Sequence, residues 1–397
     1  MSDKTGIEWT DATWNPFAGC SIVSPGCTQC YAMTMAARIE RMGTAPHYAG
    51  LTEPSKAGPV WSGKLALAST KQLTQPLRWT RARKIFVNSM SDLFHEDAPD
   101  DWIDQVFAIM ALCPQHIFQI LTKRPERMRA YVSDPKVVRR IYELACDIAT
   151  GLGLKVVLIA PGVDEALAPP GPRIYLDRWP LPNVWLGVST ERQTEENEKR
   201  IALLLNTPAA VRFISAEPLL GPLDVLPYLF IYTHDDNEVL AEPQQSHAVP
   251  ELPFRDPLTT DPADIAIPRI DWVIVGGESG PKARPMHPDW VRSLRDQCTT
   301  AGVPFFFKQW GEWLDADSWY EQRSRDGIQF RMDGKPWQPP QPLNYEAAKY
   351  IAGGWAHEHQ SDGTTLIKVG KRRAGRLLDG VAHSAFPAQM DESHAAP

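Results

Sequence analysis

Three cysteines lie close together near the start of the chain, on a segment punctuated by glycine and proline. Cys20, Cys27 and Cys30 follow a C-x6-C-x2-C spacing, and the chain contains only three other cysteines. Thiolates bind soft metal ions and iron–sulfur clusters, and one loop can bring all three to a single centre. Three protein ligands leave a four-coordinate site one ligand short, which is typical of a catalytic metal and not of a structural zinc ion. The segment therefore predicts a metal centre that performs chemistry.

The composition bounds the class of protein. The chain has 397 residues, 43% of them hydrophobic, and a net charge of −7. It shows no run of 18 apolar residues and no leader-type segment, so we expect a soluble, cytoplasmic protein without membrane contact. Cysteines stay reduced in the cytoplasm, so a cysteine cluster indicates metal or redox chemistry and not a disulfide. The acidic charge argues against a protein that coats nucleic acid, but it allows a local basic surface.

Six short apolar runs separated by helical patterns predict the fold. The runs are rich in β-branched and aromatic residues and are too short for helices, as is typical of buried strands. Nearly continuous apolar strands alternating with helices predict an α/β fold with a parallel sheet covered on both faces. We expect a partial TIM-barrel-like sheet. The predicted strands are Ile85–Val87, Ile117–Leu121, Val184–Val188, Val211–Ile214, Trp272–Val275 and Val303–Phe307.

Helical patterns follow several of these strands. One begins at Pro99, one spans Glu191–Leu205 and one begins at Pro288. The remaining cysteines fall on the apolar faces of predicted helices, and we expect them to be small core residues. They are Cys113, Cys146 and Cys298.

The chain divides into a catalytic barrel-like domain over residues 1–313 and a C-terminal extension over residues 314–397. The extension is rich in Trp, Pro and Gly and carries a basic segment. Two stretches interrupt the alternation of strands and helices, at about residues 152–182 and 224–271, and we interpret them as insertions. The second is acidic and proline-rich, so replacing residues 230–265 by a short linker should leave the fold intact.

Polar side chains follow each of the six predicted strands. A strand end at the surface explains one such residue as well as a ligand site does, but it explains six in succession less well. Ligands bind at the carboxyl ends of parallel strands, so these side chains are expected to meet at one mouth. The segments are Asn88–Glu96, Leu121–Pro125, Ser189–Glu191, Ser215–Pro218, Gly276–Gly280 and Lys308–Trp310.

These motifs, taken in order, resemble those of the phage-associated three-Cys-motif family. The resemblance runs from Ile7 to Trp313 and returns in the tail at Lys368–Lys371 and Ala374–Gly380. The family is in turn distantly similar to radical S-adenosylmethionine (SAM) enzymes, whose barrels carry three cysteines on the loop after the first strand. The usual spacing there is C-x3-C-x2-C, whereas the first gap in this chain is six residues.

The resemblance implies an iron–sulfur enzyme. Cys20, Cys27 and Cys30 would bind three irons of a [4Fe–4S] cluster, and the fourth iron would accept the amino and carboxylate groups of SAM. One electron from a donor would cleave SAM to methionine and a 5′-deoxyadenosyl radical, which would take hydrogen from a substrate in the mouth. The substrate and the oligomeric state are left open, and nucleic acid or a nucleotide is the leading hypothesis for the substrate.

The resemblance and the strand-end positions together suggest site residues. The expected catalytic residues are Lys123, Glu278 and Lys308. The residues expected to bind substrate are Lys123, Arg124, Gln309 and Trp310. The residues expected to bind the cofactor are Ser89, Asp92, Glu217, Gly276, Gly277 and Glu278.

Two other interpretations fit the same residues. A zinc knuckle would use the three cysteines with a fourth ligand such as His47. A nucleic-acid-binding phage accessory protein without catalysis would use strand-end and tail cations together with tryptophan rings as stacking surfaces, although a solvated basic tail and core tryptophans explain the same residues. The cations are Lys123, Arg124, Lys308, Lys368, Lys371, Arg372, Arg373 and Arg376, and the tryptophans are Trp310, Trp313 and Trp355. Lone histidines such as His95 and His116 border strands and are more often structural than functional.

Overall fold

The structure of the chain, a computed structural model, includes the cysteine segment and all six predicted strands. Most of the two proposed insertions lies outside the described residues, at 160–172 and 176–177 in the first and 231–268 in the second. The described residues are 5–159, 173–175, 178–230, 269–325, 331–332, 335–336, 344–352 and 355–388.

The centre of the fold is a parallel sheet whose seven strands stand side by side in chain order. Within the described residues, the first strand does not pair with the last, so the sheet is an open half-barrel. The predicted α/β class with a parallel sheet is confirmed, and a half-barrel is compatible with a partial TIM-barrel-like fold. The strands are β1 (Ala12–Trp14), β2 (Lys84–Val87), β3 (Ile117–Thr122), β4 (Val184–Ser189), β5 (Val211–Ala216), β6 (Trp272–Gly276) and β7 (Phe305–Gln309).

Helices follow the strands with small differences from the predicted bounds. The helix expected from Glu191 begins at Glu195, because the Thr194 side chain caps it by accepting a hydrogen bond from the Asn197 backbone N–H. Cys113 lies just beyond its helix and is buried, as expected of a core residue, whereas Cys146 is only half-buried. The helices are α1 (Tyr31–Met42), α2 (Asp100–Ala111), α3 (Pro125–Val132), α4 (Val137–Gly151), α5 (Glu195–Leu205) and α6 (Pro288–Thr300).

The two faces of the sheet bury separate hydrophobic clusters. The helices cover the larger cluster on the outer face. The inner face carries a smaller cluster dominated by aromatic rings, and side chains two residues further along each strand point the same way. The inner face is therefore apolar at its floor and polar towards the carboxyl ends, where Ser215 and Lys308 follow Phe213 and Phe306. The inner cluster consists of Trp9, Phe86, Trp185, Val211, Phe213, Trp272, Ile274 and Phe306.

The C-terminal part forms a small antiparallel sheet and then returns to the half-barrel. The tail lies beside β7, where the Phe307 N–H donates to the His383 carbonyl (3.0 Å). The Phe386 ring packs on Trp272 at the floor of the inner face, with ring centroids 5.0 Å apart. The elements of this part are β8 (Trp313–Asp315), α7 (Ala316–Arg325), α8 (Tyr345–Ala352), β9 (His357–His359) and β10 (Thr365–Lys368).

Short pieces complete the described fold. Phe17–Ala18 pairs with Ala66–Leu67, and the chain at Val157–Ile159 runs parallel to Arg173–Tyr175. No helix among the described residues is long and apolar enough to cross a membrane. The remaining pieces are the strand pairs Thr52–Ser55 with Gly58–Trp61 and Arg331–Met332 with Lys335–Pro336, and the helices Thr70–Leu73 and Lys371–Ala374.

Candidate metal centre at the mouth of the half-barrel

The Cys loop, residues 15–30, leaves the carboxyl end of β1 and lies across the mouth of the half-barrel. Its Gly19 N–H donates to the Met90 carbonyl (3.1 Å) beyond β2. After β3, Arg124 donates to the Ser21 carbonyl (3.4 Å). After β6, Arg284 donates to the Pro25 carbonyl (3.1 Å). Three strand ends therefore hold the loop in place, on the side where ligands bind in parallel α/β folds.

The three cysteines are neighbours, but they do not form a compact single-ion site. Among the described residues, one group of three potential ligands has all ligand atoms within 4.8 Å of one another, and it contains no cysteine: His287, Asp289 and Asp362. Thiolates on one zinc ion stand about 3.8 Å apart, given a Zn–S bond of about 2.3 Å and tetrahedral angles. Thiolates that bind three different irons stand farther apart, because each iron has its own position in the cluster.

Within the described part of the chain, His47 belongs to no such compact group with the cysteines. The His47 ring packs instead against Tyr48, with ring centroids 4.7 Å apart. The four-ligand zinc site expected in the alternative interpretation is thus not assembled by these side chains.

The surroundings of Cys20 and Cys30 favour the neutral thiol when no cation is bound. Burial, with a smaller contribution from the Asp92 carboxylate, raises the pKa of Cys20 to about 12. Burial also raises the pKa of Cys30, and the nearby Cys27 adds to this effect, while Lys123 opposes it. A metal centre that binds here must therefore displace protons from the thiols.

Arg124 anchors the loop through buried hydrogen bonds. Its guanidinium donates to Asp92 (3.0 Å), to the Ser21 hydroxyl (2.7 Å) and to the exposed Glu96 carboxylate. It also approaches the Cys20 sulfur at 3.8 Å, within hydrogen-bonding range for sulfur. The Arg124 side chain is only 8% exposed, so in this structure its guanidinium contacts the Cys loop and its carboxylate partners. Its expected role in binding substrate stays a prediction.

Asp92 is saturated by protein donors. Its Oδ1 accepts from the Thr122 hydroxyl (2.6 Å) and the Phe94 N–H (3.0 Å). Its Oδ2 accepts from the Lys123 N–H and from Arg124, both at 3.0 Å. A carboxylate with four donors is a structural group, so the structure does not support the expected role of Asp92 in binding a cofactor.

Ser21 and His95 complete this network, although the sequence analysis did not single them out as site residues. His95 is buried, and its Nδ1 accepts from the Asp97 backbone N–H (3.1 Å), so Nε2 carries the proton and donates to the Ser21 hydroxyl (2.9 Å). Ser21 in turn donates to Glu96 (3.2 Å). Burial and Arg124 lower the pKa of His95, which agrees with a neutral ring.

Glu191, at the end of β4, supports the middle of the Cys loop. It accepts from the Ser24 hydroxyl (2.6 Å) and pairs with Lys123 (3.3 Å) and Arg200 (3.3 Å). Gly26 packs directly on it, since a Cβ atom at Gly26 would lie 2.4 Å from Glu191 Oε1. Lys123 lies at the Cys loop, close enough to Cys30 to affect its pKa, and its side chain remains 15% exposed.

Glu217 and Lys308 form an ion pair at the ends of β5 and β7. The Lys308 ammonium donates to Glu217 at 2.6 Å, and both side chains keep some solvent contact, at 13% and 20% exposure. Tyr31, the residue after Cys30, is 56% exposed, and its hydroxyl donates to the Ser89 carbonyl (3.0 Å). The Ser89 hydroxyl is used within the protein, because it donates to the Asn15 side chain (3.1 Å).

Glu278, at the end of β6, holds Arg284 through two side-chain hydrogen bonds of 2.6 and 2.9 Å. Because Arg284 also donates to the Pro25 carbonyl, Glu278 positions the Cys loop indirectly. Gly277 allows a close chain contact, since a Cβ atom there would lie 1.9 Å from the Trp310 carbonyl oxygen. That contact is within the protein, so Gly277 is explained without a cofactor.

Two of the residues expected to bind substrate lie below the surface. Trp310 is 2% exposed, and its indole N–H donates to the Leu377 carbonyl (2.8 Å), so it is a core residue and cannot stack on a ligand. Gln309 is buried and donates to the Ser279 hydroxyl (3.2 Å). Gly276 lies against Glu217, 3.2 Å from where its Cβ would stand. At the mouth Tyr31 is exposed, and Lys123, Glu217 and Lys308 are half-buried with some solvent contact.

Comparison with known proteins gives one family match. A family model described as "Protein of unknown function (DUF5131)" matches residues 4–387. The search of curated proteins and the search of solved structures both return no match. Since the family model spans nearly the whole chain, the protein belongs to the DUF5131 family.

Proposed function

We propose that the protein is a radical SAM-like iron–sulfur enzyme, as its resemblance to the phage-associated three-Cys-motif family implies. One observation carries this proposal. The three cysteines lie on the loop after the first strand of a parallel half-barrel, at the mouth where the other strand ends converge. That is the position where a partial TIM-barrel-like enzyme binds its ligands.

The donor set of the loop fits a [4Fe–4S] cluster. Cys20, Cys27 and Cys30 would supply three thiolates, and their sulfur atoms are not drawn together as a single zinc ion requires. The guanidinium of Arg124 would donate a hydrogen bond to the Cys20 sulfur, an interaction that tunes the potential of a cluster. When bound, such a cluster supplies an electron for the reductive cleavage of the SAM sulfonium.

The side chains of the protein would bind and orient SAM and would shield the mouth from water. The mouth offers both charges, since Lys123 and Lys308 are cations and Glu217 is a carboxylate. SAM carries an ammonium group, a carboxylate and ribose hydroxyls, so a mouth of mixed charge suits it. Below these groups, the aromatic floor of the inner face excludes water from the base of the mouth.

Anaerobic reconstitution with iron and sulfide tests the proposal. We expect about four irons per chain, the brown colour of a [4Fe–4S] cluster, and cleavage of SAM to 5′-deoxyadenosine and methionine under reducing conditions. Cys20→Ala, Cys27→Ala and Cys30→Ala should each lose the colour and the cleavage.

Cys298→Ala is the matched control, because Cys298 is a buried thiol on α6 and lies outside the Cys loop. This variant should retain iron and activity. Stoichiometric zinc without iron, or iron binding that survives loss of any of the three loop cysteines, would contradict the proposal.

A further inference from the structure

A basic groove lies on the C-terminal part of the chain. It has a volume of about 590 Å³. Consecutive cations, Lys371, Arg372 and Arg373, form one wall, and all three are exposed. Gln322 of α7 lines the groove opposite a short stretch of backbone at Val369 and Gly370. The concave shape and the row of positive side chains suit an extended anion.

The cations of this groove lack carboxylate partners. Among the described residues, none of Lys371, Arg372 and Arg373 forms an ion pair, whereas Arg124, Arg200 and other arginines of the same protein do. Arg373 stacks on the Trp355 ring, with its guanidinium 5.0 Å from the ring centroid. In a chain with net charge −7, an unpaired cluster of like charges is a local exception. Repulsion within such a cluster is relieved by a bound polyanion.

The groove is joined to the mouth through backbone hydrogen bonds. The Gly370 N–H donates to the Glu312 carbonyl (3.0 Å), and the Glu312 N–H donates to the Glu278 carbonyl (3.1 Å). Glu278 in turn binds Arg284, which contacts the Cys loop. Two further cations lie near the loop that follows β6. Lys282 is part of this loop and donates to the Ala57 carbonyl, and Lys368 donates to the Pro281 carbonyl of the same loop. Neither has a carboxylate partner in the described part of the chain. These cations accompany the backbone path from the groove to the mouth, which also carries two carboxylates: Glu278 is paired with Arg284, and Glu312 accepts from the Gly280 N–H (3.0 Å).

We infer that this basic groove binds single-stranded nucleic acid and leads it to the mouth. Phosphates would contact Lys371 and Arg372, and the guanidinium of Arg373, 5.0 Å from the centroid of the Trp355 ring, would offer a surface on which a base can stack. A single strand fits better than a duplex, because a nucleotide must be unpaired before one of its atoms can enter the mouth of the half-barrel. The inference rests on the proposed function only in naming the substrate class of that site.

The test measures binding directly. The full-length protein is titrated into fluorescein-labelled single-stranded oligonucleotides of about 20 nucleotides and mixed sequence, in DNA and RNA versions, and anisotropy is followed at several salt concentrations. Lys371→Ala/Arg372→Ala should weaken binding roughly 20-fold at 0.1 M salt and lower the salt slope by about 1.4, because each single-strand phosphate contact contributes about 0.7 to that slope. A preference for RNA or DNA identifies the natural source.

Two controls separate the groove from net charge and from folding. Lys136→Ala/Arg139→Ala removes the same charge at and just before the start of α4 and should leave binding unchanged. Lys371→Arg/Arg372→Lys preserves the charge and should retain affinity within about twofold, as expected for phosphate contacts. Equal binding by the groove variant and the unaltered protein, or binding to phosphatidylserine vesicles without binding to either oligonucleotide, would overturn the inference.

Cys20→Ala distinguishes the two proposals. It should bind the oligonucleotides as the unaltered protein does, because the groove does not include the Cys loop. If no iron binds, the anisotropy measurement still tests the groove. If the oligonucleotides do not bind, the iron measurement still tests the proposed function.

Discussion

Replacement of Arg124 by alanine removes the cation from the buried network behind the Cys loop. Asp92, whose side chain is 8% exposed, then loses its one charged partner and cannot gain full hydration. Removing one member of a buried ion pair destabilises proteins by about 3–5 kcal/mol. Asp92 keeps three neutral donors, namely the Thr122 hydroxyl and the backbone N–H groups of Phe94 and Lys123. We therefore expect the lower end of this range, about 3 kcal/mol.

The other partners of Arg124 add little to this value. Glu96 is 57% exposed, so water can replace the guanidinium, and the loss there should stay below about 1 kcal/mol. The Ser21 hydroxyl loses one hydrogen bond but keeps its contacts with His95 and Glu96. The dominant effect is therefore the charge of Asp92, which makes the prediction specific to one carboxylate.

Urea unfolding of the metal-free protein, followed by tryptophan fluorescence, measures the loss. Arg139→Ala is the matched control, since Arg139 is 84% exposed and solvent screens its pair with Glu143, so the free energy of unfolding should change little. Arg124→Ala/Asp92→Asn should recover at least about 1 kcal/mol relative to Arg124→Ala, because asparagine carries no charge to desolvate. A loss below about 1 kcal/mol in Arg124→Ala, or no recovery in the double variant, would refute the reasoning.

Two further predictions concern the Cys loop and the second insertion. Gly26→Ala should destabilise the protein by about 1–3 kcal/mol and reduce iron retention, because its Cβ would lie 2.4 Å from Glu191 Oε1. Urea unfolding measures the loss, and Gly6→Ala is the control because the space around Gly6 is open. An unchanged unfolding midpoint in Gly26→Ala would show that Glu191 moves aside freely. Replacing residues 230–265 by a short Gly/Ser linker should leave the melting temperature within a few degrees, because the Ile270 N–H donates to the Tyr228 carbonyl (2.9 Å) and the two ends already meet. A large drop in the melting temperature would show that the replaced residues pack on the fold.

The sequence by itself predicted six of the seven strands of the central sheet. Buried parallel strands need apolar side chains on both faces, so all six predicted runs lie in the central sheet, each within two residues of its predicted start. The first strand, Ala12–Trp14, was not predicted, because three residues are too few to show an apolar pattern. The positions of the strand ends could also be predicted, since the carboxyl ends of parallel strands share one edge.

The roles of individual strand-end residues were decided only by the tertiary structure. A cation that follows a strand gives the same sequence pattern whether it faces a ligand or a buried carboxylate. Lys123 lies at the Cys loop, whereas the side chain of its neighbour Arg124 is enclosed by Asp92 and Ser21. Trp310 likewise could stack on a ligand or fill the core, and its burial decided for the core. His95 could be placed beside a strand from the sequence, but its partner Ser21, 74 residues away in the chain, could not be predicted. Side-chain partners separated by such distances are chosen by packing, which local sequence patterns do not encode.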